Sequence, residues 1–266
     1  MQDLLKTLWL RRYLIYRLTK KEITQKYKGN FLGILWIFIT PLLMLSLYSF
    51  VFGVVFESRF GSREEIMPVE FGFILYTGLI CFNLFSETVS QSPSLFTSNP
   101  NYVKKVIFPL EILPFVSILR ALFQTVANLF LLILGLLLWA EHWQWTVLYI
   151  PIILIPFIIL ILGIVFLLSS LSVYIKDIAH PLAMAITGLL FLSPIFYPVS
   201  SVPEKIQSLI MFNPITMIVE QMRAVIIKGD MPDLIGLTYY TVTAVIILIL
   251  AIKVFNALKV GFADAI

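Results

Sequence analysis

The chain has 266 residues, of which 60% are hydrophobic and 13% charged, whereas an ordinary soluble domain carries about 25% charged residues. Its solvent is therefore largely lipid, and the net charge of +4 reads as loop asymmetry across a bilayer; no basic patch is joined to a nucleic-acid-binding motif. Cys81 is the only cysteine and His142 and His180 stand apart near span ends, so an intrachain disulfide and a cysteine-rich metal site are excluded and no metal is expected.

In chain order, residues 1–30 come first as a cytoplasmic interface segment. Charges recur from Lys6 to Lys28 before any long apolar run, so a cleavable signal is not expected. Residues 4–28 read as a basic amphipathic helix. Trp9, Tyr13, Tyr16, Ile23 and Tyr27 fall on one stripe interrupted by Lys20, and Leu10, Leu14 and Leu18 lie round the helix from it. Two apolar faces, with Lys21, Lys26 and Lys28 among the basic residues, suit a helix touching lipid on one side and protein on the other. A plain membrane-surface anchor is the competing reading.

Long uncharged runs then predict six membrane-spanning helices at about 31–56, 70–96, 108–139, 147–175, 181–197 and 234–255, each judged against the ~20 residues a membrane helix needs. The fold class is all-α and polytopic, with one transmembrane domain over 31–266. Lys and Arg favour the amino-terminal side over the opposite side by thirteen to five, which places both termini in the cytoplasm.

After the second span, Ser98 to Val106 reads as a short helix start facing the cytosol. Asn99 is its expected N-cap and Pro100 its first helical residue, with Tyr102, Val103, Lys104 and Lys105 following. Such an element suits a mechanical push from a soluble partner, although the two lysines also obey the positive-inside rule by themselves. The third span is expected to open with Pro109 near its first position and Glu111 in its first turn. From Pro109 to Trp139 it would run about 46 Å, well beyond a ~30 Å hydrocarbon core. Arg120 lies about two turns in and needs a partner or an aqueous path; Glu87, near the cytoplasmic end of the second span, is the candidate partner.

Between the fifth and sixth spans, Pro194, Pro198 and Pro203 break the chain, and two short apolar stretches, 204–212 and 215–227, flank Asn213-Pro214. This pattern predicts a re-entrant helical hairpin over 203–228, with Arg223 in its second arm, capping a pore from outside. Two interfacial helices lying flat are the alternative. Among the aromatics, 14% of the chain, Trp36, Tyr48, Phe52, Tyr76, Phe82 and Phe85 lie inside spans as candidates for a sugar-stacking lining, with core packing the rival for each.

No G-x-x-x-x-G-K-[ST] loop, H-E-x-x-H or G-x-S-x-G occurs. An enzyme is therefore not expected and no catalytic residue is assigned. Intramembrane acids that could relay protons are sparse, which disfavours proton coupling.

Three stretches resemble the transmembrane subunit of type-2 ABC exporters of polysaccharides, the O-antigen, capsule and teichoic acid permeases. They are Lys20 to Pro41, Ser98 to Pro114 and Leu171 to Pro214. The middle one is the most specific, through Asn99-Pro100, Lys104-Lys105 and Phe108-Pro109-Leu110-Glu111. The resemblance implies an interface helix over 4–28, a coupling helix over 99–106 that docks on the ATPase, and gate helices over 203–228. It further implies two copies of the chain with two ATP-binding cassette subunits, which hold the ATP and Mg, so no cofactor is expected here. The implied cargo is a polyprenyl-diphosphate-linked glycan, O-antigen foremost, exported across the cell (inner) membrane for lipopolysaccharide biosynthesis. A drug or small-lipid exporter of the same superfamily is the alternative, and a membrane glycosyltransferase or ligase the second. Lys21-Glu22, Gly29-Asn30 and Lys176-Asp177 depart from the usual pattern, which bears on pairing geometry at those points.

Overall fold

Proline, capping side chains and apolar length set the element boundaries. The computed structural model describes residues 2–51, 68–104, 108–139 and 144–265, and every regular element among them is helical. In order they are α1 (Gln2–Leu10), α2 (Arg12–Tyr27), α3 (Trp36–Phe50), α4 (Pro68–Gln91), α5 (Pro100–Val103), α6 (Ile112–Trp139), α7 (Ile150–Ser172), α8 (Ala179–Leu192), α9 (Glu204–Phe212), α10 (Pro214–Arg223), α11 (Leu234–Leu258) and α12 (Phe262–Ala265). The single expected interface helix is divided at Arg11, although the Arg11 N–H still donates to the Thr7 carbonyl at 2.9 Å. The turn from α2 toward α3 passes through Gly29 and Gly33 at φ of 89° and 50°, a conformation that carries a steric penalty for any residue with a Cβ.

Among the described residues, four helical stretches are long and apolar enough to cross a membrane: 71–94, 112–138, 145–172 and 234–265. The expected first and fifth spans are shorter among the described residues. The α3 helix has 15 residues, a Gly33–Leu35 helical turn before it, and Pro41 within it. The α8 helix has 14 residues, about 21 Å of rise, and stops at Ser193-Pro194 because proline supplies no N–H to continue the ladder. A bent pair, Glu204–Phe212 and Pro214–Lys228, turns through 96°.

The helix of the expected third span, α6, starts later than expected. Pro109 and Glu111 precede it in a turn in which the Ile112 N–H donates to the Pro109 carbonyl at 3.1 Å. Pro114 falls in the first turn of the helix that starts at Ile112, where its missing N–H leaves no intrahelical bond unmade.

The core centres on α7, where Ile153, Phe157, Ile161, Val165 and Phe166 are wholly buried. Its most extensive neighbour is α11. A Cβ at Gly163 would lie 3.1 Å from the Leu248 backbone, so this glycine is what lets the two backbones approach, as small residues do between membrane helices. At one end of α7, Phe166, Phe96, Phe255 and Phe262 stack in a cluster with centroids 5.1 to 6.0 Å apart. Phe96 belongs to the strap between α4 and α5, so this cluster seats the strap on α11 and the carboxyl-terminal helix.

Candidate transport site

Three helices bring a polar cluster together at the end of the bundle where α2 lies. Ile15 on α2 packs with Ile112 and Val116 of α6, flanked by Leu8, Leu14 and Leu18, while Trp9, Tyr13 and Tyr16 are exposed. Leu14 and Leu18 thus meet protein while Leu10 is exposed, and the stripe faces outward at Trp9, Tyr13 and Tyr16 but turns to α6 at Tyr27. One turn spacings then align charge: Glu22 and Lys26 on α2, Asn83, Glu87 and Gln91 on α4, and Arg120, Gln124 and Asn128 on α6 each share a face.

Lys26 Nζ lies 2.8 Å from Glu87 Oε1, and Arg120 reaches Glu22 at 3.4 Å and Glu87 at 3.7 Å. A second Arg120 nitrogen donates to the Gln91 carboxamide oxygen, while Arg120 Nε is buried with no partner. Burial pushes the Glu22 carboxyl above its ordinary range, against the lowering pull of Arg120 and Lys21. The network continues through the Tyr27 hydroxyl, which donates to Gln124 at 2.6 Å, and the Gln124 amide, which donates to Asn128 at 3.1 Å and to the Ile37 carbonyl at 3.3 Å. Burial, reinforced by Glu87, raises the Tyr27 phenol, so it stays a donor.

Above this network lies a cavity of about 420 Å³ lined by Tyr27, Trp36, Thr40, Tyr48, Tyr76, Asn83, Gln124 and Asn128 among others. Its wall mixes aromatic faces with amides and hydroxyls, and the buried Tyr76 hydroxyl has no protein partner. Such a lining suits an amphipathic, hydroxyl-rich guest.

Of the candidate aromatics, Trp36, Tyr48 and Tyr76 line this cavity. Phe82 and Phe85 do not: both are buried in the core, Phe85 stacking on Phe157 at 6.5 Å, because they lie on other faces of α4 from Tyr76 and Asn83. Phe52 and Lys105 lie outside the described residues. Sequence reasoning paired Arg120 with Glu87 but missed Glu22, Gln91, Gln124 and Asn128. The signal was present in the ladder Arg120, Gln124, Asn128 on an otherwise apolar helix.

The expected coupling helix is one described turn, α5. Asn99 stands at its N-cap position but its side chain does not cap; its amide donates backward to the Leu95 carbonyl at 3.0 Å. Lys104 is exposed and Val103 buried, and Tyr102 is not presented freely but stacks on Phe108 at 4.5 Å. Glu111 lies with Arg11 and Lys259 around a neighbouring cleft. Lys20, Lys21 and Lys28 are exposed.

At the other end, Pro203 precedes α9 and the Asn213 side chain caps α10 by accepting from the Ile215 N–H, while its amide donates to Ser193 Oγ at 2.8 Å. Arg223 is 4% exposed. Its guanidinium donates to the carbonyls of Pro194 at 2.6 Å, Ile195 at 2.8 Å and Ile74 at 3.2 Å, and to Glu220 at 3.1 Å. Gly78 makes the room, since a Cβ there would lie 3.2 Å from an Arg223 nitrogen. No group of three metal-ligating side chains occurs among the described residues.

Several helices long and apolar enough to cross a bilayer mark a multi-pass membrane protein. The chain belongs to the ABC-2 type transporter family, whose model matches residues 13–227. It is 26% identical over 265 residues, 99% of each chain, to the O-antigen export system permease protein RfbA of Myxococcus xanthus. It is 24% identical over 256 residues, 94% of each chain, to the O-antigen export system permease protein RfbA of Klebsiella pneumoniae. Against the polysialic acid transport protein KpsM of Escherichia coli it is 24% identical over 247 residues, 89% of this chain and 90% of that protein.

Proposed function

We propose that this chain is the channel-forming permease of an ATP-driven exporter of lipid-linked polysaccharide, O-antigen in the first instance. Two copies would assemble with two ATP-binding cassette subunits in the cell (inner) membrane. Both termini face the cytoplasm, the chain crosses six times, and cargo moves outward. The observation that carries this reading is the end-to-end match, over 99% of both chains, to a relative whose name is an O-antigen export permease. The aromatic and amide lining of the Tyr76 cavity supports a glycan guest over a wholly apolar drug, because aromatic faces stack on sugar rings while amides bond their hydroxyls.

In this reading a push on α5 is passed to the α4 end by the Leu95-Phe96 strap and to α6 through Tyr102 on Phe108. Both helices carry the Glu87–Arg120 contact. Lys26 and Arg120 share Glu87, so a small relative shift of α4 and α6 exchanges partners and never strands a buried charge. The chain itself makes and breaks no covalent bond; its helices bind, orient and release.

The test is deletion of the gene in its native cell. Full-length, lipid-linked glycan should accumulate in the cytoplasm and surface glycan should vanish, both reversed by the wild-type gene. Unchanged surface glycan with lost drug efflux would favour the small-molecule exporter. Glycan transfer by the purified chain without ATP would favour the transferase.

A further inference from the structure

A second groove lies on one flank of α2, between it and α6, and the ion-pair cluster does not use it. It encloses about 650 Å³, with Ile15, Ile23 and Ile34 against Leu119 and Phe123 of α6. Two cations, Arg12 and Lys20, and no acid line it. Arg12 is already engaged, donating to the Trp9 carbonyl at 3.1 Å and lying 4.9 Å from the Trp9 ring. Lys20 forms no ion pair among the described residues, because Glu22, the acid nearest to it on α2, is turned to Arg120. Thr19 lines the same groove, and its hydroxyl is buried without a hydrogen-bond partner. On one groove, an ammonium without an ion-pair partner and a hydroxyl without a hydrogen-bond partner, with no competing carboxylate, offer two donors of the kind an oxyanion takes.

The apolar part of the groove does not end at Phe123. Leu119, Phe123, Val126 and Phe130 form an exposed stripe on α6, about 16 Å long at 1.5 Å per residue, close to half of a ~30 Å hydrocarbon core. The oxyanion site therefore sits at the head of a track as long as one acyl chain in one leaflet.

We propose that this groove holds one anionic diacyl glycerophospholipid, its phosphate on Lys20 and Thr19 and one acyl chain along the α6 stripe, locking α2 against α6. The proposal rests on the reading that this end of the bundle faces the cytoplasmic leaflet, where anionic lipid attracts juxtamembrane cations by about 1 kcal/mol each. It concerns a resident lipid and is independent of which cargo is exported.

The experiment is native mass spectrometry of the full-length chain released from nanodiscs of equimolar phosphatidylglycerol and phosphatidylcholine. The wild type should retain one phosphatidylglycerol in preference to phosphatidylcholine. Lys20→Ala should cut that preference about fivefold, as loss of ~1 kcal/mol implies, and Lys20→Arg should restore it. Thr19→Val should weaken it less, and Lys28→Ala, outside the groove, should leave it intact. Equal retention of the two lipids by the wild type, or an unchanged preference in Lys20→Ala, would overturn the proposal. Displacement of phosphatidylglycerol by an equimolar long-chain polyprenyl phosphate would also overturn it and assign the groove to the carrier lipid. Because the readout is lipid retention, it stands or falls separately from glycan export.

Discussion

Two arginines divide the molecule into a rearrangeable end and a clamped one. Arg120 has a side chain 15% exposed, shares carboxylates with Lys26 and leaves its Nε unpaired. Arg223 is 4% exposed and spends three of its bonds on backbone carbonyls of α4 and the Pro194-Ile195 break. Carbonyls neither titrate nor move independently of their helices, whereas carboxylates on α2 and α4 can trade cations. The Arg120 cluster is thus built to change partners, and the Arg223 anchor is built to hold the geometry of the far end.

The largest expected effect comes from breaking the clamp. Arg223→Met removes the guanidinium and strands its carbonyl partners, so thermal unfolding in detergent should show a loss of about 3–5 kcal/mol. Arg223→Lys should recover little of it, since one ammonium lacks the planar fork that spans separated carbonyls. Next, Gly78→Val puts a side chain against the Arg223 guanidinium, 3.2 Å from the Cβ position, and should cost about 1–3 kcal/mol by the same assay. At the other end, Arg120→Ala should cost about 1.5–3 kcal/mol, as loss of hydrogen bonds between charged groups does, with faster hydrogen exchange in α2. Equal exchange in α2 of wild type and Arg120→Ala would refute the idea that this cluster docks the helix. Lys26, whose side chain is 42% exposed, should matter least: Lys26→Ala costs under about 1 kcal/mol, and the effect fades with added salt.

The comparison also predicts a pH asymmetry. The Glu22 carboxyl is raised above its reference value of 4.5 by burial. Its contribution to α2 docking is therefore fully present below that reference and is lost as pH rises through the higher folded value. Hydrogen exchange in α2 should speed up over that window, Glu22→Gln should abolish the change, and α10, held by Arg223 on carbonyls, should show none.

Much of this architecture was legible in local chemistry. Apolar runs marked six spans, four of which are full-length helices among the described residues, Asn213-Pro214 marked the bend, and the basic α2 was placed before the first apolar run. The start of α6 was misread because Pro109 and Pro114 both fit a first turn, and only the chain path selects between them. The aromatics of the cavity wall were only partly legible: Tyr76 and Phe82 look alike within one helix and both are buried, and only helix packing decides that Tyr76 borders the cavity.

What the sequence by itself determined was therefore whatever depends on neighbours within a turn or two: apolar length, the break at Asn213-Pro214 and charge bias, whereas the cap expected at Asn99 did not form. Only the tertiary structure decided that Glu22 and Gln91 join Glu87 around Arg120, and that Arg223 is sealed among carbonyls, that of Ile74 lying 149 positions away in the sequence. Partner choice of that kind follows from helix packing, where a 100° turn per residue sets which side chains face one another and no local propensity records it.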